Sequence, residues 1–296
     1  TGFEMLTVNW ASMQNQGVEV ALSTRNIHTK NFMWTTNFNF AYNNNKILKE
    51  ALREDALEPG REGYPVGALF ALKTAGLDEE GYPMFEGKDG KAVSAMEFFK
   101  LQEWGFGATD LTARERRELY TYVGTADCPY TGGFNNTFTY KAFELGVNFS
   151  FDFGGKVRSQ PTYSIVDFDK GRNTNRDILN RWTPENTETI FPVLLSQNER
   201  LDEYMWYSNQ NEIYRNLDIW IRDLNYVRLQ NIRLGYTLPT NFSRKLGMTS
   251  ATIAIEGRNL LVFGSSYKNY LDPETMSNAY ATPAPKSVTL SLNLNF

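Results

Sequence analysis

Within the last eleven residues, 286–296, polar and apolar residues alternate without a break from Ser287 onward. Val288, Leu290, Leu292, Leu294 and Phe296 fall on one side of an extended chain, and Thr289, Ser291, Asn293 and Asn295 on the other. Successive side chains of a strand point to opposite faces, so this segment reads as a strand with one apolar and one polar face. The second face is too polar for a dry core. The same division recurs upstream, where Leu145, Val147, Phe149, Phe151 and Phe153 stand against Gly146, Asn148, Ser150, Asp152 and Gly154. Phe32, Trp34, Phe38, Phe40 and Tyr42 repeat it against Thr35, Asn37, Asn39 and Ala41, with Thr36 the exception.

A soluble antiparallel sheet with one wet face also alternates. Two features separate the readings. The apolar faces carry Phe, Trp and Tyr at strand ends, as the aromatic girdles of a membrane barrel do. The alternation also runs for about 10 residues or more, where soluble strands run about 5 to 6. Composition is compatible with this. A mean hydropathy of -0.46 looks soluble, but barrel strands average out as mildly polar. Aromatic residues reach 14%. The longest apolar run, residues 66–72, is far short of the roughly 18 residues a spanning helix needs, which excludes a helical membrane protein.

The connections form a second pattern. The hairpin at 26–31, the turn at 141–144 and the connection 239–250 are short, whereas 88–132 and 155–224 are long. Strands are expected near 286–296, 251–264, 225–238, 143–155 and 133–141, then near 81–87, 65–74, 31–43, 16–26 and 3–10. Helices are expected at 94–104 and 112–122 within the first long excursion. Barrels of this kind place short turns on one side of the membrane and long loops on the other. Nine or ten strands close poorly under loops of this size, and no linker divides the chain.

Chemistry-bearing residues are few. The single cysteine, Cys128, has no disulfide partner, and the single histidine, His28, cannot supply the paired ligands of most zinc sites. Cys128 sits in Ala126-Asp127-Cys128-Pro129-Tyr130, with its one histidine 100 positions upstream, and reads as buried or incidental. The groups Asp78-Glu79-Glu80-Gly81 and Lys88-Asp89-Gly90-Lys91 lack the alternating ligands of a calcium loop and read as turns. A net charge of -4 gives no general attraction to nucleic acid. Arg114, Arg116 and Arg117 alternate with Glu115 and Glu118 as on a solvated helix face. No cofactor, metal or enzymatic step is expected.

Several blocks, in order, resemble the SusC/RagA family of TonB-dependent outer-membrane transporters. They are 15–20 (Asn-Gln-Gly-Val-Glu-Val), 31–38, 132–141, 180–186, 226–239, 257–261 (Gly-Arg-Asn-Leu-Leu) and Asp272-Pro273-Glu274. The resemblance spans essentially the whole chain. It implies an all-β fold, the C-terminal portion of a 22-stranded transmembrane antiparallel β-barrel with long extracellular loops. It also implies the bacterial outer membrane and lipid bilayer as location, a SusD-like surface lipoprotein over the mouth, and energy from the TonB complex. The family's N-terminal plug and TonB box are not found within 1–296, so the chain reads as the last part of a longer transporter.

The expected function is import of an oligosaccharide or oligopeptide. Alternatives from the residues alone are a β-rich surface glycan-binding protein without transport, or a passive porin. Trp182, Tyr204, Trp206, Tyr207 and Trp220, all in the loop 155–224, are the candidates to stack on sugar rings or peptide side chains. Arg172, Arg176, Asp202 and Glu203 read as loop surface. Phe296, ending an alternating strand, resembles the signal by which barrel-assembly machinery recognises its clients.

Overall fold

The computed structural model describes residues 10–102, 109–159, 170–171, 176–194, 216–264, 272–276 and 281–296. In chain order the strands are β1 Ser12–His28, β2 Phe32–Lys49, β3 Ala68–Leu72, β4 Thr74–Leu77, β5 Pro83–Glu86, β6 Ala92–Val93, β7 Tyr120–Thr125, β8 Tyr130–Tyr140, β9 Phe143–Arg158, β10 Ile221–Thr237, β11 Ser250–Phe263 and β12 Ser287–Asn295. The helices are α1 Ala95–Phe98, α2 Ala113–Glu118 and α3 Thr240–Lys245.

Seven long strands form one antiparallel sheet in the order β1-β2-β8-β9-β10-β11-β12. The register puts the alternating residues in continuous rows. Phe38 stands opposite Phe134, which stands opposite Phe149; Trp34 stands opposite Phe138, which stands opposite Leu145. Further on, Leu234, Ile255 and Leu290 continue the Leu145 row. One face is therefore largely apolar and turned outward, with Leu290 76% exposed. Rings stack across strands, Phe134 on Phe149 at 4.8 Å and Trp34 on Phe138 at 5.5 Å between centroids. Gly132 is required in this face, because a β-carbon there would fall 2.6 Å from the Phe151 ring and 2.3 Å from the Asn39 carbonyl oxygen.

Thr36, the exception in the alternation, belongs to a hydrogen-bonded seam on this face. Its hydroxyl donates to Asn136 Oδ1 at 2.7 Å and accepts from Asn26 Nδ2 at 2.7 Å. Trp34 Nε1 donates to the same Asn136 oxygen at 3.0 Å, and Thr24 Oγ1 donates to Asn26 Oδ1 at 2.8 Å. The opposite face is polar and paired across strands. Ser23 donates to Asn37 at 2.7 Å, Gln230 to Ser150 at 2.7 Å, and Arg233 pairs with Glu144 at 3.1 Å.

Short and long connections alternate as expected. The short turns lie at 29–31, 141–142 and 238–249, and the long ones at 50–129, 159–220 and 264–286. Three expectations are corrected. Segments 65–74 and 81–87 are not strands of the wall: they lie within the first long excursion, where β3 pairs with β7 and β4 with β5 and β6. The wall is thus seven strands among the described residues. The helix expected at 112–122 ends at Glu118, and the chain then enters β7. Of the helix expected at 94–104, the described residues form only the single turn α1, capped by Ser94, whose hydroxyl accepts from the Glu97 N–H. The strand expected at 3–10 lies outside the described residues, apart from Trp10.

Candidate functional site

The two long excursions share a dry core at one end of the wall. Leu72, Phe85 and Phe99 from the first pack with Leu217 and Trp220 from the second, all but fully buried. Phe85 is central, stacked on Phe98 at 4.7 Å and edge-on to Phe99 at 5.2 Å. Polar ties reinforce it. The Leu72 N–H donates to the Asn216 carbonyl at 2.8 Å, and Thr74 donates through both N–H and Oγ1 to Asp218, at 3.2 and 2.6 Å. Arg158, at the end of β9, donates to Asn216 Oδ1 at 2.6 Å and to the Phe70 carbonyl, joining wall and both excursions.

The wall holds the first excursion at a second point. Asp127 Oδ2 accepts from Asn45 Nδ2 at 3.1 Å and from the Gly67 N–H at 3.0 Å, while Asn45 Oδ1 accepts from the Val66 N–H at 2.7 Å. Beside it, Cys128 is half-buried, and burial pushes its thiol up, with Asp152 adding in the same direction. This thiol is not poised as a nucleophile.

The aromatic candidates divide. Trp220 is 0% exposed within the shared core, so it packs the loops and presents no ring to a ligand, which corrects its assignment to substrate contact. Trp182 is half-buried and lies on Gly81, linking the second excursion to the β4–β5 turn. Tyr204, Trp206 and Tyr207 lie outside the described residues, as do Arg172, Asp202, Glu203 and the side chain of Arg176. Both acidic glycine-containing groups are turns. Asp78 Oδ1 accepts from the Glu80 and Tyr82 N–H groups at 3.0 and 2.8 Å, and Asp89 Oδ1 from the Lys91 N–H at 3.2 Å, with Gly81 and Gly90 at positive φ. Phe296 closes the outward apolar row at 85% exposure.

Sequence reasoning misses the chemistry of one cluster. Tyr226 and Arg228 of β10 meet Asp272 and Glu274 of the third long connection on the polar face. Both groups lie in blocks that carry the family resemblance. The available signal is an arginine set between Val227 and Leu229, whose side chains take the opposite, apolar face.

An antiparallel wall with an outward apolar band, a polar inner face and all long connections at one end is that of an outer-membrane-type β-barrel. No family model matches the chain. Among curated proteins it is 27% identical to TonB-dependent receptor P3 of Formosa agariphila over 97% of this chain and 29% of the relative. It is 23% identical to TonB-dependent receptor SusC of Bacteroides thetaiotaomicron over 98% of this chain and 27% of that protein. Among solved structures, that of the RagAB peptide transporter superposes with a TM-score of 0.71 at 23% identity, covering 97% of this chain and 30% of the other. The chain is thus similar in sequence to TonB-dependent receptors, SusC among them, and has the fold of a segment of the RagAB transporter's barrel. It spans about a third of the length of the curated relatives it matches.

Proposed function

We propose that this chain forms the C-terminal part of an outer-membrane barrel that imports a nutrient, an oligosaccharide or oligopeptide, with TonB-derived energy and a SusD-like surface lipoprotein. The height of the apolar band carries the reading. On the outward face it is bounded by Tyr42 and Tyr130 at one end, stacked at 5.2 Å, and by Tyr140, Phe143 and Tyr236 at the other. Tyr130 and Tyr140 are the two ends of β8. Ten steps of about 3.4 Å give about 34 Å along the strand, or about 26 Å across a bilayer at a tilt of about 40°. That matches the apolar band of about 25 Å typical of outer-membrane barrels. A soluble glycan-binding sheet needs no such band.

Among the described residues, β1 and β12 each pair on one side only. A sheet in lipid has no open edge, so further strands close the barrel. The relatives' names support TonB dependence, and the likeness to the RagAB peptide transporter supports a peptide as one substrate class. The proposed substrate contacts are Trp182, Tyr204, Trp206 and Tyr207, all within the long connection 159–220. The test is extraction and uptake. The full protein should require detergent, migrate differently on gels before and after boiling, and support growth on an oligosaccharide or oligopeptide that a deletion strain cannot use. Extraction by salt alone, with no heat-dependent shift, would favour the soluble binder.

A further inference from the structure

Arg228 lies midway along β10 on the polar face and is 2% exposed. Its Nε donates to Glu274 Oε1 at 3.0 Å, and its Nη2 pairs with Asp272. The Tyr226 hydroxyl donates to the same Glu274 oxygen at 3.3 Å. Asp272 in turn holds its own neighbours: Oδ1 accepts from the Glu274 N–H at 3.0 Å, and its carbonyl accepts from the Thr275 N–H at 2.9 Å. The result is a tight turn with Asp272, Pro273 and Met276 buried, Met276 to 1%.

Connections ordinarily run over a protein's surface. Here the described part of the 264–286 connection folds against the inner side of the wall, 44 residues from its charge partner. A guanidinium keeps its proton in proteins, and a buried charge persists only when paired. Without Arg228, Asp272 would be a buried carboxylate with no counter-charge, and the turn would have to open to water. Lysine would keep the charge but not the fork that reaches two carboxylates through two different nitrogens.

We propose that Arg228 is a positioning residue for import: it locks the turn 272–276 against the inner wall as a fixed ledge that sets the largest substrate admitted. The size-selecting role rests on the import reading above; the lock does not. The experiment uses the full-length transporter with its native partners in intact cells, in a Cys128→Ser background. Met276→Cys is probed with a membrane-impermeant maleimide, and uptake is measured for a length series of the substrate. With Arg228 present, the position should resist labelling. Labelling should be at least about tenfold faster in Arg228→Met and Asp272→Asn and intermediate in Arg228→Lys, while the heat-dependent gel shift is kept. The uptake cut-off should move to longer substrates, whereas a merely structural defect lowers uptake of every length alike. Labelling that does not depend on residue 228 or 272 would overturn the lock, and a uniform loss of uptake would overturn the ledge. If Arg228→Met fails to reach the membrane, the isosteric Asp272→Asn carries both measurements. A labelling response in a parent protein that imports nothing would sink the import reading and the size-selecting role, and leave the lock standing.

Discussion

Gly81 and Trp182 touch so closely that a β-carbon at residue 81 would lie 2.5 Å from the indole. The contact joins two excursions that leave the wall at different strands, and the Val193 N–H donating to the Gly81 carbonyl at 2.9 Å holds the same junction. Gly81 also sits at φ +87, where any side chain is strained. Gly81→Ala should therefore destabilise the outer loops by about 1–3 kcal/mol, read as faster protease nicking of the excursions in intact cells. Removing the indole should relieve the steric part. The double variant Gly81→Ala/Trp182→Ala is expected to lose less than the sum of the single losses, and strict additivity would show that the ring does not limit residue 81.

The polar seam on the outward face makes a separate prediction. Trp34 Nε1 and the Thr36 hydroxyl both donate to Asn136 Oδ1, and on the membrane reading neither has water to turn to instead. Asn136→Leu leaves two donors unsatisfied and should cost about 1–3 kcal/mol in urea unfolding of the refolded barrel, followed by gel shift. Thr36→Val should cost less. Combined, the two should show coupling of about 1 kcal/mol. An Asn136→Leu barrel as stable as the parent would mean that this face is wet, which would also count against the membrane reading.

This seam marks how far the sequence can be read. Wall strands are legible because their two faces see different surroundings over about ten or more residues, so alternation survives even one exception such as Thr36. The exception itself is opaque, since its partners Asn26 and Asn136 lie across two strand pairings. In the excursions the rule fails. Segments 65–74 and 81–87 are short apolar runs that satisfy strand criteria but bury themselves in a local core around Phe85, and periodicity cannot say which sheet a short run joins. Residues 120–122 read as a continuation of the helix that Thr112 starts, although the helix gives way at Leu119 to a strand that pairs with β3. Trp220 is visible as a loop aromatic, but its burial depends on Leu72 and Phe99 from the other excursion. The pairing within the Arg228 cluster is not legible, because Arg228 and Asp272 stand 44 residues apart and no local pattern encodes the inward fold of the connection between them.

Phe296 carries the third prediction. It ends the row Val288, Leu290, Leu292 and Leu294, and stands 85% exposed at the end of the wall where the short turns lie. It lies beyond the last paired residue of β12, Asn295, and we propose that its ring is what the assembly machinery reads. Phe296→Lys should reduce the heat-modifiable outer-membrane form severalfold, with Phe296→Tyr near the parent. Equal yields for Phe296→Lys and the parent would rule out the assembly role.

The capping box of α2 supplies a pH dependence. Glu115 Oε2 accepts from the Thr112 N–H and hydroxyl, each at 2.9 Å, while the Glu115 N–H donates back to Thr112 Oγ1 at 3.3 Å. The Thr112 N–H, then its hydroxyl, then Lys100 hold the Glu115 carboxyl down at about 2, from an ordinary 4.5. A folded-state value below the unfolded one means that the contribution is present above about 4.5 and is lost as pH falls toward 2. Hydrogen exchange over 113–118, corrected for the intrinsic rate at each pH, should therefore quicken between those values. Glu115→Gln should remove the pH dependence, because the amide can still accept the Thr112 N–H but does not titrate. A profile that is flat in the parent protein, or equally steep in Glu115→Gln, would place the titrating group elsewhere.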